Sequence, residues 1–402
     1  MPDFFPSLET FAKGTLATAA TLSTVGAGLL WYGQNYLIYP SAFPPGSRID
    51  VPVPTGMPYE DLELVTPDKV KLRCYLLPQK KVLDAIHAAP VEDDTTTSDD
   101  EFVASRPTVI MFHGNGGNHG HRVPLARVFY LKMRCNVLMM SYRGYGLSEG
   151  SPSEKGLQID AQTGLDFITS NPIFSKTQII LYGQSIGGAV SIDLASRNPK
   201  LITALILENT FTSLPSLVPH ALPFLGPFSF LCHQKWDSAS KIPLIPATTP
   251  ILMLSGAKDE IVPREHMRAL WEVVARRGEK KTPGGREYKV GLERAKYMEF
   301  EDGGHNRVLA GGGRVRREPK KNRKMKGPEW LAHTRYRQAS LQTKFIPPTI
   351  LPLRPELSYT SGDVADYARL QSSGAVSRNS WDMHAFPYVL FTISSLMAEV
   401  HD

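Results

Sequence analysis

Ser185 lies in the pentapeptide Gly183-Gln184-Ser185-Ile186-Gly187, directly after the apolar run Ile179-Ile180-Leu181-Tyr182 and before a helix-forming stretch. A serine on a sharp strand-to-helix turn presents its hydroxyl for attack on a carbonyl carbon. Such a turn leaves no room for side chains two positions before or after the serine, which accounts for Gly183 and Gly187. Gly188 extends the same tolerance. A glycine-flanked serine alone is often only a turn, so the weight rests on this context.

A hydroxyl is a poor nucleophile until a base takes its proton, and the base needs a carboxylate to orient it. After a turn of this kind the expected chain order is serine, acid, histidine. The run Ile251–Ser255 leads into Gly256-Ala257-Lys258-Asp259-Glu260, which makes Asp259 the expected acid and Glu260 its alternative. Tyr297–Phe300 precedes Asp302-Gly303-Gly304-His305, so His305 is the histidine that follows the last strand-like run and is the expected base. Charge developing on a substrate oxygen needs aimed donors, usually backbone amides. Ile186, next after the serine, and Asn115, in His113-Gly114-Asn115-Gly116-Gly117-Asn118, are the expected pair. His119 and His121 have the spacing of a ligand pair, but a His-x-His on a loop is expected to be a solvated surface feature. No metal and no cofactor is expected.

These residues need a scaffold, and the chain alternates short β-rich runs with helical stretches, the pattern of a doubly wound, mostly parallel sheet. Tyr59–Thr66 and Lys69–Leu77 are expected to form an opening hairpin about Pro67-Asp68. Residues 88–105 are polar and acidic and are expected to be an insertion loop without a core of its own. Further strands are expected at Thr108–Phe112, Asn136–Ser141, Gln178–Tyr182 and Ala204–Leu207. Helices are expected at 123–132, 154–170 and 188–196. Residues 211–247 lack clean periodicity and are expected to form a small cap, whose apolar 211–230 part suits an acyl pocket, a lid or plain core.

No charged residue occurs between Lys13 and Arg48. The most apolar part, residues 14–32, approaches the roughly 20 residues that cross a bilayer as a helix. Trp31, Tyr32, Tyr36 and Tyr39 cluster at its end, as in an interfacial aromatic belt. A retained single-pass transmembrane anchor over residues 1–47 is expected, against a cleaved signal peptide or a buried helix. The catalytic domain then spans 48–306.

Hydrophobic residues make up 42% and charged residues 21% of the 402, which suits a globular protein. The formal net charge is +6, but nine basic side chains lie between Arg307 and Lys326 against the single acid Glu318. The basic balance belongs to that segment, so no nucleic-acid partner is expected. Cys74, Cys135 and Cys232 are scattered and odd in number, and are expected to be buried thiols.

His113-Gly114-Asn115-Gly116-Gly117-Asn118, Gly183-Gln184-Ser185-Ile186-Gly187-Gly188 and Ser255-Gly256-Ala257-Lys258-Asp259-Glu260-Ile261-Val262-Pro263 occur in that order. Together with Tyr142-Arg143-Gly144-Tyr145-Gly146 and Glu208-Asn209-Thr210-Phe211, they resemble the fungal bud-emergence branch of the α/β hydrolases. That branch is related to the single-anchor α/β-hydrolase domain proteins, and the likeness covers about residues 10–306. The resemblance implies an α/β-hydrolase fold with a Ser185-His305-Asp259 triad. It also implies a membrane location, at the endoplasmic reticulum or plasma membrane, and hydrolysis of acyl esters or thioesters. Relatives of this branch remove palmitoyl groups from proteins. The implied partners are a lipid bilayer, through the amino-terminal helix, and an acylated lipid or protein substrate. Alternatives are a serine peptidase of the same fold and a catalytically impaired membrane scaffold in cell polarity. The sequence departs from the branch after Asn306, where residues 307–385 are unpatterned and expected to be a disordered basic insertion. A closing helix is expected within 386–402.

Overall fold

A computed structural model describes residues 8–83, 97–281, 287–288, 290–306 and 315–316. The chain opens with helix α1 (Leu8–Ile38), and the expected hairpin follows as strands β1 (Glu60–Val65) and β2 (Lys71–Leu77), paired antiparallel. Strands β3 (Thr108–Phe112) and β4 (Asn136–Met140) are buried at every position. So are β5 (Ile179–Gln184) and β7 (Ile251–Gly256), and β6 (Ile202–Glu208) at all but one position. Continuous apolar runs of this kind belong to strands covered on both faces.

The main sheet has the order β1-β2-β4-β3-β5-β6-β7-β10-β11, with β10 at Ala295–Phe300 and β11 at Val315–Arg316. Pairs from β4 through β10 are parallel, while β1, β2 and β11 are antiparallel to their neighbours. A separate two-stranded ribbon joins β8 (Lys280–Lys281) to β9 (Glu287–Tyr288).

Successive side chains of a strand point to opposite faces, and the two cores follow that alternation. Ile110, Phe112, Leu138, Met140 and Leu181 pack with apolar side chains of α4 (Glu154–Ser170), α5 (Ile186–Arg197) and α8 (Arg264–Ala275). Val109, Met111, Val137, Met139 and Ile180 pack with α3 (Val123–Arg127) and the π turn Val128–Lys132. The strand order turns back on itself at β3, with β4 on one side and β5 on the other. The carboxyl ends of the parallel strands at such a reversal form a crevice, the usual place for a ligand in an open α/β sheet.

One expectation is corrected. Within 88–105 the chain forms α2 (Asp99–Ser105) and buries Phe102 and Val103; residues 84–96 lie outside the described residues. Ser98 accepts the Glu101 amide while the Glu101 carboxylate accepts the Ser98 amide, a reciprocal cap that starts a helix even in acidic sequence. Three acids in the first turn also suit the positive end of the helix dipole. The expected transmembrane stretch 14–32 falls within α1, yet no helix among the described residues is long and apolar enough to cross a membrane. The many Thr and Gly residues of α1 lower its mean hydropathy. The expected insertion 307–385, Val315 and Arg316 apart, and the helix within 386–402 lie outside the described residues.

Candidate active site

Strand β5 runs straight into Ser185, which stands at the amino end of α5 with φ 54° and ψ −119°. That backbone is strained for a residue with a β-carbon, and strain of this kind collects at functional sites. The flanking glycines are sterically required. A β-carbon on Gly183 would lie 2.2 Å from the Gly187 carbonyl oxygen, and one on Gly187 would lie 2.1 Å from that of Phe112. The third, Gly188, faces Thr210, whose β-carbon would be 2.6 Å away. Ser185 itself is 5% exposed.

The loops after β7 and β10 meet beside this turn. His305 Nδ1 lies 2.9 Å from both carboxylate oxygens of Asp259. Asp259 Oδ1 also accepts the backbone N–H groups of Ile261, at 2.9 Å, and Val262, at 2.8 Å, which fixes the carboxylate in its loop. With Nδ1–H donated to Asp259, the lone pair of His305 is left on Nε2. The neighbouring acid Glu260 does something else: its Oε2 accepts the backbone N–H of His305 at 3.2 Å. Asp259 is therefore the carboxylate on the imidazole and Glu260 a clamp on its backbone. Among the described residues Ser185 Oγ makes no hydrogen bond, and catalytic contacts of this type often tighten only around a substrate.

The loop after β3 packs against the turn from the other side. Asn115 donates its side-chain amide to the Ile38 carbonyl and accepts the Tyr145 hydroxyl at 2.7 Å. Tyr142 donates its hydroxyl to the His113 carbonyl at 3.0 Å. The Tyr142–Gly146 stretch thus braces the His113–Asn115 loop, a role its sequence alone did not assign. Both ends of the Asn115 side-chain amide are thus engaged within the protein. Ile186 is the first residue of α5, so its N–H has no intrahelical acceptor. His113 is fully enclosed, and burial pushes its pKa down to about 3, so it stays neutral.

Two side chains that sequence reasoning passed over join these loops. Gln184, beside the serine, donates to the His305 carbonyl at 3.1 Å. Asn209, at the end of β6, donates to the carbonyls of Gly304, at 3.2 Å, and His305, at 3.0 Å, and accepts the Gly256 amide at 2.7 Å. Its neighbour Thr210 donates to the Ser185 carbonyl at 2.8 Å. The signal was present in the Glu208-Asn209-Thr210 motif, but its partners lie far away in sequence.

The expectation for His119 is corrected. His119 is 2% exposed rather than solvated, with Nδ1 2.6 Å from Ser141 Oγ, and burial lowers its pKa to about 3. His121 Nδ1 accepts the Asn118 amide at 3.1 Å. No cluster of metal-ligating side chains occurs among the described residues. Cys74, Cys135 and Cys232 are free and buried, as expected.

The 211–247 region divides in two. Phe211, Leu214 and Leu217 are buried in the core, the latter two on α6 (Leu214–Ala221), and α7 (Ser238–Lys241) follows further on. Between α6 and α7 the 3₁₀ segment Pro223–Leu231 buries none of its residues, although Phe224, Phe228 and Phe230 belong to it.

Residues 107–228 match the model of a family described as the alpha/beta hydrolase fold. The chain is 47% identical to protein bem46 of Schizosaccharomyces pombe over 262 residues, covering 64% of this chain and 80% of the relative. It is 38% identical to an uncharacterized membrane protein of Saccharomyces cerevisiae, over 65% of this chain and 84% of that one. It is also 33% identical to the alpha/beta hydrolase domain-containing protein WAV2 of Arabidopsis thaliana, over 72% of this chain and 87% of the relative.

Proposed function

The chain belongs to the bud-emergence branch of the α/β-hydrolase family, and from that premise we propose that it is a serine hydrolase that cleaves acyl esters or thioesters. Ser185 is the nucleophile, His305 the general base and Asp259 the carboxylate that orients it. The observation that carries this reading is the equal 2.9 Å contact of His305 Nδ1 with both Asp259 oxygens, beside a serine held at φ 54°.

In this reading His305 Nε2 takes the Ser185 proton as Oγ attacks the acyl carbonyl carbon. The backbone N–H groups of Ile186 and Asn115 receive the charge that develops on the carbonyl oxygen. His305 then passes its proton to the departing alcohol or thiol, and a water molecule, activated in the same way, releases the acyl group from Ser185. Donors held in place before the reaction favour the transition state without reorganisation, and each is worth roughly 3–4 kcal/mol in sites of this kind.

Membrane attachment through α1 belongs to the same proposal. It is supported by large apolar side chains that α1 exposes, among them Leu16, Leu22, Leu29 and Trp31. Thr15, Thr18, Thr21 and Thr24 each donate their hydroxyl to the carbonyl four residues earlier, at 2.8–2.9 Å, which satisfies these groups away from water. One relative is itself described as a membrane protein. Removal of acyl chains from lipid-modified proteins is the finest form of the proposal.

A fluorophosphonate probe tests the central claim. Wild type should be labelled and Ser185→Ala should not; a folded wild-type chain that resists labelling would refute the reading.

A further inference from the structure

Two long stretches of the described chain lack Asp, Glu, Lys and Arg, one between Lys13 and Arg48 and the other between Glu208 and Lys235. The fold brings them together. Gln34, near the end of α1, accepts the backbone N–H groups of His233, at 2.9 Å, and Gln234, at 3.4 Å, and donates to the Leu231 carbonyl at 3.4 Å. The His233 ring lies 4.9 Å from that of Trp31. Tyr39, just past the helix, accepts the Trp236 indole N–H at 2.9 Å and donates to Gln234 Oε1 at 3.0 Å. The end of α1 and the cap are thus one body, polar at the seam and apolar outside.

The outward side is rich in large apolar groups. Phe224 and Phe230 are each 73% exposed and Phe228 is 49% exposed. On the helix side Trp31, Tyr32 and Tyr36 are exposed, as is Phe43 beyond it. Contiguous patches of this kind mark contact surfaces. The absence of ionised side chains from both segments identifies the occupant. Protein interfaces keep a polar rim and favour arginine, whereas the hydrocarbon boundary of a bilayer excludes full charges and favours aromatic rings.

We propose that the cap segment Pro223–Leu231 is a second membrane-contact element, seated with the end of α1 in the boundary layer of a phospholipid bilayer. Acyl substrate then reaches Ser185 from the lipid phase rather than from water. The patch adjoins the loop that carries Asn115: that side chain binds the Ile38 carbonyl, and Gly117 donates its backbone N–H to Phe43 at 2.8 Å. The substrate route rests on the hydrolase reading above; the membrane contact does not.

The test uses the full chain bound to phosphatidylcholine vesicles, with a nitroxide on Phe224→Cys, Phe228→Cys or Phe230→Cys in turn. Lys200→Cys, away from the patch, serves as the aqueous control. Collisions with dissolved oxygen should exceed those with a water-soluble nickel chelate at all three cap sites and not at Lys200→Cys. Water-like accessibility at the three sites, or failure of the chain to bind vesicles, would overturn the proposal. So would concentration-dependent protection of these sites without vesicles, which would assign the patch to a second copy. A Phe224→Ser, Phe228→Ser, Phe230→Ser variant should lose at least tenfold in turnover of a long-chain thioester embedded in vesicles, with a short water-soluble ester unaffected. Equal effects on both substrates would refute the lipid-phase route. Fluorophosphonate labelling reads the hydrolase assignment separately, so depth without labelling sinks that assignment and leaves the membrane contact standing.

Discussion

Asn209 donates its side-chain amide to the His305 carbonyl at 3.0 Å while its own Oδ1 accepts the Gly256 N–H at 2.7 Å. One side chain at the end of β6 thereby fixes the carboxyl end of β7 and the loop that carries the proposed base. Its backbone takes φ 46°, a left-handed conformation that asparagine tolerates better than most residues.

Asn209→Asp keeps the acceptor toward Gly256 but sets a carboxylate oxygen against the carbonyls of Gly304 and His305. Turnover of a short soluble ester should fall by at least about tenfold, the scale of one lost positioning contact. Asn209→Ala should also lower the unfolding free energy by about 2 kcal/mol in urea titration, because buried partners lose their hydrogen bonds. Unchanged turnover in Asn209→Asp would show that the His305 loop is held by other means.

Ser185→Gly and Ser185→Ala should both abolish labelling, yet differ in stability. Alanine keeps a β-carbon at φ 54° whereas glycine adopts that backbone freely. The glycine variant should be the more stable by about 1 kcal/mol, read from denaturant midpoints. Equal midpoints would mean that the turn stores no strain at this residue.

Gly187→Ala should prevent folding or cost more than about 4 kcal/mol, since its methyl group would overlap the Phe112 carbonyl on the neighbouring strand. Gly226→Ala in the cap meets only Pro219, at 3.4 Å, and should change stability by less than about 0.5 kcal/mol. Soluble yield and thermal midpoint of the two variants, compared side by side, check the contrast.

Burial holds His113 and His119 neutral, each with a pKa of about 3 against an ordinary 6.5. The unfolded chain binds both protons near pH 6.5, whereas the folded chain resists them until about pH 3. Their contribution is therefore complete above pH 6.5 and declines as pH falls, by up to about 1.4 kcal/mol per unit for each ring. Urea midpoints at pH 7.5, 6.5 and 5.5 should drop accordingly, with a shallower slope in His119→Gln. A flat profile would mean that these rings are not held neutral.

The sheet was legible because its central strands are short apolar runs bounded by glycine and polar turns, as in Thr108–Phe112 before His113-Gly114. The proposed site was legible for a related reason: a strand-to-helix turn around Ser185 led to an acid and a histidine after later strands, and the structure sets Asp259 and His305 together there, 2.9 Å apart. What escaped depends on distance or on competing signals. Asn209 gains its meaning from carbonyls 95 and 96 positions away. The helix at Asp99–Ser105 was hidden by its acidity, although Ser98 and Glu101 have the spacing of a reciprocal cap. His119 looked solvated because its loop is glycine-rich, and only the fold sets Tyr75 against its ring, 4.3 Å away. For the expected anchor, lack of charge suggested a crossing helix, while threonine and glycine keep α1 less apolar than a membrane span.

Gln184 and the His305 carbonyl it binds are 121 positions apart, and His305 follows the strand that pairs outermost among the parallel ones. A ribosome therefore completes the serine turn long before the residue proposed to activate it has been made. Until β10 has been synthesised and laid beside β7, the nascent chain carries the proposed nucleophile without its proposed base. The proposed chemistry is complete only once this side of the sheet is finished.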